Sequence, residues 1–225
     1  MKILALETAA DPGSVALWRD GTVTARTCPL DQTNSAALLP EARALLAEAD
    51  LDFSDLDAVA FGAGPGSFTG LRVACGVAQG LAFGRGVPLL GIGTLEAMAC
   101  ESGGARVFVA LDARMGEVYH ACYVDGVLQG EIGVHPPEQV PLPDGDGWLA
   151  CGNAFTAYPR LRERFVDQVS EWQPERLPGA VGVVRLAAPR LARGEAVDPA
   201  LAAPVYVRDK VAKTVAERLA EGGRA

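Results

Sequence analysis

The chain has 225 residues, 49% hydrophobic but only 6% aromatic, enough to bury a core in one large or two small α/β domains packed with small side chains. Its formal net charge of −8 argues against a stand-alone nucleic-acid binder, which needs clustered Lys and Arg for phosphates. Five scattered cysteines with no Cys-x-x-Cys read as reduced thiols of a cytoplasmic protein, and the short apolar run after Met1-Lys2 predicts neither a signal peptide nor a membrane span.

Lys2–Thr8 is an apolar run ending in a carboxylate, which predicts a buried strand. Asp11-Pro-Gly gives a turn, Ser14–Trp18 a second strand, Asp20-Gly21 a hairpin turn and Thr22–Thr27 a third strand. Asn34–Ala49 predicts an amphipathic helix with Pro40 in its first turn. Leu56–Phe61 reads as a strand, followed by a loop with four glycines or prolines in the five positions Gly62 to Gly66. A central helix then runs from about Thr69 to Phe83. Each of its glycines 70, 76 and 80 costs about 1 kcal/mol relative to alanine, so something must offset them. Val73, Gly76, Val77 and Gly80 fall on one stripe, and Leu71, Ala74, Ala78, Leu81 and Ala82 on another. Such a helix is sandwiched, its glycine side against a helix of the same domain or of another subunit.

Val87–Ile92 and Thr94–Cys100 predict a further strand and a short helix, and then the opening repeats. Leu4-Ala-Leu-Glu7 is matched by Val109-Ala-Leu-Asp112, Ser14-Val-Ala-Leu by Glu117-Val-Tyr-His, and Asp20-Gly-Thr-Val by Asp125-Gly-Val-Leu. A duplicated β-meander with helices indicates two related α/β halves facing one another. The expected lobes are 1–104 and 105–225. The second holds a strand at Trp148–Gly152, helices at about Asn153–Phe165 and Ala180–Leu191 (bent or interrupted at Pro189), and a closing helix at about 209–220 that is free to pack back on the first lobe.

Glu7 and Asp112, ending matched strands, would both face the cleft between lobes, where paired carboxylates can hold Mg²⁺ or serve as acid and base. The alternative is that each accepts hydrogen bonds from turn amides. A phosphate-gripping hairpin needs glycine beside its Asp, whereas here Ala113-Arg114 follows Asp112, and Arg114 is expected to pair with a local carboxylate. The glycine loop is neither a P-loop nor a dinucleotide fingerprint, and Ser67 is not in a nucleophile elbow. It reads as the cap of the central helix. The two histidines, His120 and His135, are not spaced as ligands on one helix, so no metal site or triad is expected.

Gly64-Pro-Gly-Ser-Phe-Thr-Gly-Leu-Arg72, Leu111-Asp-Ala-Arg-Met-Gly-Glu-Val-Tyr119 and Pro204-Val-Tyr-Val-Arg208 closely resemble the TsaB (YeaZ) family, glycoprotease-like bacterial subunits needed to make threonylcarbamoyladenosine in tRNA. The resemblance runs essentially from the first strand to Arg208. It implies the two-lobed fold of actin, sugar kinases and heat-shock chaperones, and a non-catalytic role beside a TsaD-like catalytic subunit and a TsaE-like ATPase. ATP and metal would then sit on those partners, the isolated chain would pair as a homodimer, and tRNA would be met only through the complex. The family also places the interface on the central helix, here Phe68, Thr69, Arg72, Val73, Gly76, Val77 and Gly80, and leaves Glu7, Thr8, Asp112, Arg114 and Gly152 around a vestigial nucleotide cleft. Two departures, Glu7 where Asp is usual and Asn34 where a histidine is often seen, weaken any metal or phosphate role. The alternative is a small acyl or sugar kinase of the same superfold that uses Glu7 and Asp112 on Mg-ATP.

Overall fold

In β1 (Lys2–Glu7) the side chains alternate between two cores, Leu4 and Leu6 entering one and Ile3 and Ala5 the other. That is the pattern of a strand covered on both faces. Antiparallel β2 (Ser14–Arg19) and β3 (Thr22–Thr27) extend one side of it. Parallel β4 (Ala58–Gly64) and β5 (Leu89–Gly93) extend the other. The second sheet is built from β6 (Arg106–Asp112), β7 (Val118–Val124), β8 (Val127–His135), β9 (Trp148–Cys151) and β10 (Val169–Gln173). Its order β8-β7-β6-β9-β10 reproduces β3-β2-β1-β4-β5 strand for strand, with the same parallel and antiparallel pairings. The internal repeat is thus a repeat of topology, and the fold is a two-lobed α/β architecture. The structure, a computed structural model, describes residues 1–208, so the expected closing helix lies outside the described residues.

Helices fill the layers around the sheets. On the outer face of the first sheet lie α1 (Asn34–Glu48) and α2 (Phe68–Arg85), burying Leu38, Leu45, Leu46, Ala74 and Ala78. Between the sheets sit α3 (Thr94–Ser102) and α6 (Ala180–Ala192). Leu95 and Met98 of α3 enter the core of the second sheet, whereas its Ala97 joins α6 under the first. The outer face of the second sheet is covered by α4 (Ala154–Ala157) and α5 (Pro159–Arg164) around Phe108, Phe155 and Phe165. Although α6 follows the second sheet in the chain, it packs Val183, Val184 and Ala187 against Ile3, Ala5 and Ile92 of the first.

Several sequence expectations need correction. Pro40 lies six residues beyond Asn34, inside α1 rather than in its first turn, on the exposed side of the helix, where it removes one backbone donor. The helix expected over 153–165 divides into α4 and α5, because Pro159 drives Tyr158 out of the helical region to φ −128°, ψ 84°. By contrast, α6 runs on through its exposed Pro189 to Ala192. Residues 62–64, expected in the loop, continue β4 in register with Ile92 and Gly93, and β10 was not foreseen.

The approach of α6 to α3 depends on Gly182, since a Cβ there would lie 2.2 Å from the Ala97 carbonyl oxygen. On α2, a Cβ at Gly84 would meet nothing within 4 Å. Gly182→Ala should therefore cost about 2–3 kcal/mol through overpacking, while Gly84→Ala should gain up to about 1 kcal/mol in helix propensity. Urea unfolding of both variants measures this, and equal effects would contradict the packing described.

Candidate functional site

Two features stand out: a cleft between the sheets and the outer face of α2. The cleft has a volume of about 370 Å³ and is walled by the Ala9–Asp11 turn, the Pro65–Thr69 loop, the Asp112–Met115 hairpin and Val205–Arg208. Its lining is mixed, with Asp11, Asp112, Arg114, Asn153 and Arg208 among its polar residues.

The carboxylates expected to face each other there are in different places. Asp112 lines the cleft, but its Oδ1 accepts hydrogen bonds from the Arg114 amide and the Tyr158 hydroxyl, both at 2.9 Å. Burial, then that bond, pushes the Tyr158 hydroxyl up to about 12, so it remains a donor. Arg114 sits at the hairpin tip with φ 61°, largely exposed, its guanidinium 3.7 Å from Asp112. This is the local pairing expected for it.

Glu7 is buried beneath the cleft rather than facing it. Its Oε1 accepts the Ala9 amide at 2.7 Å and its Oε2 accepts the Thr94 hydroxyl at 3.3 Å, while the Gly64 amide donates to Thr94 Oγ1 at 3.1 Å. A Cβ on Gly62 would lie 1.9 Å from Glu7 Oε2, so the longer carboxylate fits only over a glycine. Thr8 is buried too, donating its hydroxyl to the Gly70 carbonyl at 2.7 Å. Gly152, at φ 113°, brings β9 against the Ala110 carbonyl and is also buried. The paired-carboxylate reading therefore gives way to its alternative, carboxylates satisfied by local donors. Among the described residues no group of three or more His, Cys, Asp or Glu could hold a metal ion.

α2 starts at an N-cap, Ser67, whose hydroxyl accepts the Gly70 amide, and ends at Gly86 in the left-handed region. Leu71, Ala74, Cys75, Ala78 and Ala82 face the first sheet. Val73 and Val77 are half-buried on the α1 side, while Phe68, Thr69, Arg72, Gly76 and Gly80 are exposed. A Cβ at Gly76 or Gly80, as at Gly84, would meet nothing within 4 Å. These glycines serve no close approach within the described chain.

The segment after α6 flanks α2 on its other side. Val197 exchanges both backbone hydrogen bonds with Leu89, Gln79 donates to the Pro199 and Ala202 carbonyls at 3.0 Å, and the Val205 amide donates to Ala63 at 2.7 Å. Arg208 then reaches the second lobe, donating to the Ala113 carbonyl at 3.2 Å and pairing with Glu117. The face of α2 is thus the floor of a shallow valley between α1 and this strap. Tyr206 of the strap was not singled out from the sequence, although its motif carried part of the family resemblance. Also unforeseen is the contact of His120 with His135, 2.8 Å apart across β7 and β8. Burial lowers His120 to about 4, leaving a neutral packed ring against Phe108.

The family model for TsaD, tRNA N6-adenosine threonylcarbamoyltransferase, matches residues 31–132. The tRNA threonylcarbamoyladenosine biosynthesis protein TsaB of Escherichia coli is 38% identical, across 94% of this chain and 96% of that one. TsaB of Haemophilus influenzae is 32% identical across 94% and 95%. The crystal structure of YeaZ from Pseudomonas aeruginosa matches with a TM-score of 0.82 and 38% identity, covering 92% of this chain and 99% of that one.

Burial, opposed by the Ala9 and Thr94 hydrogen bonds, raises Glu7 from 4.5 to about 7. The folded chain thus holds this proton more tightly than the unfolded one. The resulting stabilisation is fully present below pH 4.5 and disappears as pH rises through about 7, a change on the order of 3 kcal/mol. Urea unfolding of wild type and Glu7→Gln from pH 4.5 to 8.5 should show the wild type losing that amount relative to the variant. A pH-independent difference would rule out the assignment.

Proposed function

Because the chain belongs to the TsaB (YeaZ) family of tRNA threonylcarbamoyladenosine biosynthesis proteins, we propose that it is the non-catalytic partner subunit of the complex that forms N-threonylcarbamoyladenosine in tRNA beside the anticodon. It binds a TsaD-like catalytic subunit through α2 and holds that subunit in its active state. The observation that carries this reading is the open glycine floor of α2, where glycine costs helix stability and no contact within the described chain recovers it. A second helix backbone laid in the valley would recover it.

The match of a TsaD family model to residues 31–132, a stretch containing both α1 and α2, supports pairing between related lobes. A non-catalytic role is supported by the withdrawal of Glu7 from the cleft and the local hydrogen bonding of Asp112. On this reading the chain has no cofactor of its own, ATP being handled by a TsaE-like ATPase and the metal by the TsaD-like subunit. Its net charge of −8 leaves tRNA contact to the assembled complex in the cytoplasm. Without its partner, the same valley takes a second copy of the chain.

Gly76→Arg should abolish association with the TsaD-like subunit and leave the monomer folded, because a Cβ there meets nothing within 4 Å in the described chain and the change gains helix propensity. Light scattering and thermal melting together test this, and a variant that still binds its partner refutes the docking face. Calorimetry of the isolated protein with Mg-ATP should detect no binding tighter than about 1 mM, equivalent to about −4 kcal/mol. Low-micromolar affinity would instead support the kinase alternative.

A further inference from the structure

The docking face carries a cation held in advance. Arg72 Nε donates to the Tyr206 hydroxyl oxygen at 3.1 Å. The guanidinium carbon lies 3.7 Å from the centre of the Phe68 ring and 6.0 Å from that of Tyr206, and the two rings are 5.5 Å apart. Tyr206 is itself fixed, since the strap is tied to β4 through Val205 and to α2 through Gln79. Stacking and one hydrogen bond therefore orient the planar fork while its two terminal nitrogens donate to no carboxylate or carbonyl among the described residues. A guanidinium fixed in this way suits bidentate recognition of a carboxylate, and its place near the N-terminal end of α2 adds to the attraction for an anion.

Among the described residues Arg72 has no ion-pair partner. α2 carries Arg72 and Arg85 and no Asp or Glu. The two carboxylates of α1, Glu41 and Glu48, are both held by Arg26. At the far end of the valley, Asp198 caps the Ala200 amide at 2.8 Å. A second copy related by a two-fold axis would bring α2 against α2, helices that carry Arg72 and Arg85 and no carboxylate of their own. We propose that Arg72 selects the partner: it pairs with an Asp or Glu that a different chain presents beside the first turns of α2, favouring that chain over a second copy of this one. The Phe68–Tyr206 clamp is its positioning device. This inference rests on α2 being the docking helix.

The test measures two equilibria, binding of the purified TsaD-like subunit from the same organism and self-association, each at low and high salt. Arg72→Gln should weaken the mixed complex at least about tenfold and flatten its salt dependence, as expected for loss of a desolvated charge pair. Self-association should stay unchanged or tighten. Tyr206→Phe keeps the charge but removes the Nε acceptor, so it should weaken the mixed complex less while retaining its salt dependence. A mixed complex unchanged by Arg72→Gln, or self-association weakened equally, overturns the proposal. Gly76→Arg separates the two levels: if it leaves the mixed complex intact, the docking face itself is wrong, whereas if it abolishes binding that Arg72→Gln does not affect, only the charge reading fails.

Discussion

The arrangement depends on how closely the end of β1 approaches the start of α2. A Cβ at Gly70 would lie 1.8 Å from the Thr8 carbonyl oxygen, and one at Gly62 would overlap the Glu7 carboxyl. Backbone therefore meets backbone at Gly70, where the Thr8 hydroxyl closes the contact on the Gly70 carbonyl, while Gly62 makes room for the Glu7 carboxyl. This contact fixes where α2 begins, so it also sets the floor of the cleft and the direction of the helix's outer face. The glycine-rich lead-in resembles a phosphate loop in composition, but its glycines at 62 and 70 make room for the protein's own first strand.

That gives the glycines of this stretch two separate roles. At positions 62 and 70 the loss of helix or strand propensity is offset by contacts that no other residue would allow. At 76, 80 and 84 the cost, about 1 kcal/mol each against alanine, has no offset in the described chain, since a Cβ at each would meet open space. The close packing that glycine usually permits inside a fold occurs elsewhere, between Gly182 of α6 and Ala97 of α3. Sequence spacing alone left the α2 stripe open to either use. Within the described residues the close packing falls to Gly182, and the α2 stripe packs on nothing.

Local and periodic features of the fold were legible in the sequence. The two Asp-Gly hairpins and the matched strands ending in Glu7 and Asp112 predicted a duplication, which the two sheets of identical order bear out. Features that depend on the third dimension were not legible. Matched strand ends suggested that Glu7 and Asp112 shared a cleft, yet one extra methylene and the space over Gly62 fold Glu7 inward to the Ala9 amide. His120 and His135 have no helical spacing, and only the β7–β8 register brings them together. β10 carries no strong alternation because it lies at a sheet edge with mixed exposure. Tyr206 reaches Arg72 across 134 positions of sequence, a contact no local pattern encodes.

The strap gives the cleft and the docking face a common boundary. From Val197 to Arg208 it is attached in turn to β5, α2, β4 and the hairpin of the second lobe. Val205 and Tyr206 line the cleft on one side, while Tyr206 holds Arg72 on the other. A rotation of one lobe against the other must stretch either the grip of Arg208 on the hairpin or the hold of Val205 on β4, both of which are short-range and directional. On the proposed reading, a partner that seats on α2 and engages Arg72 would load the strap, and through it the spacing of the lobes.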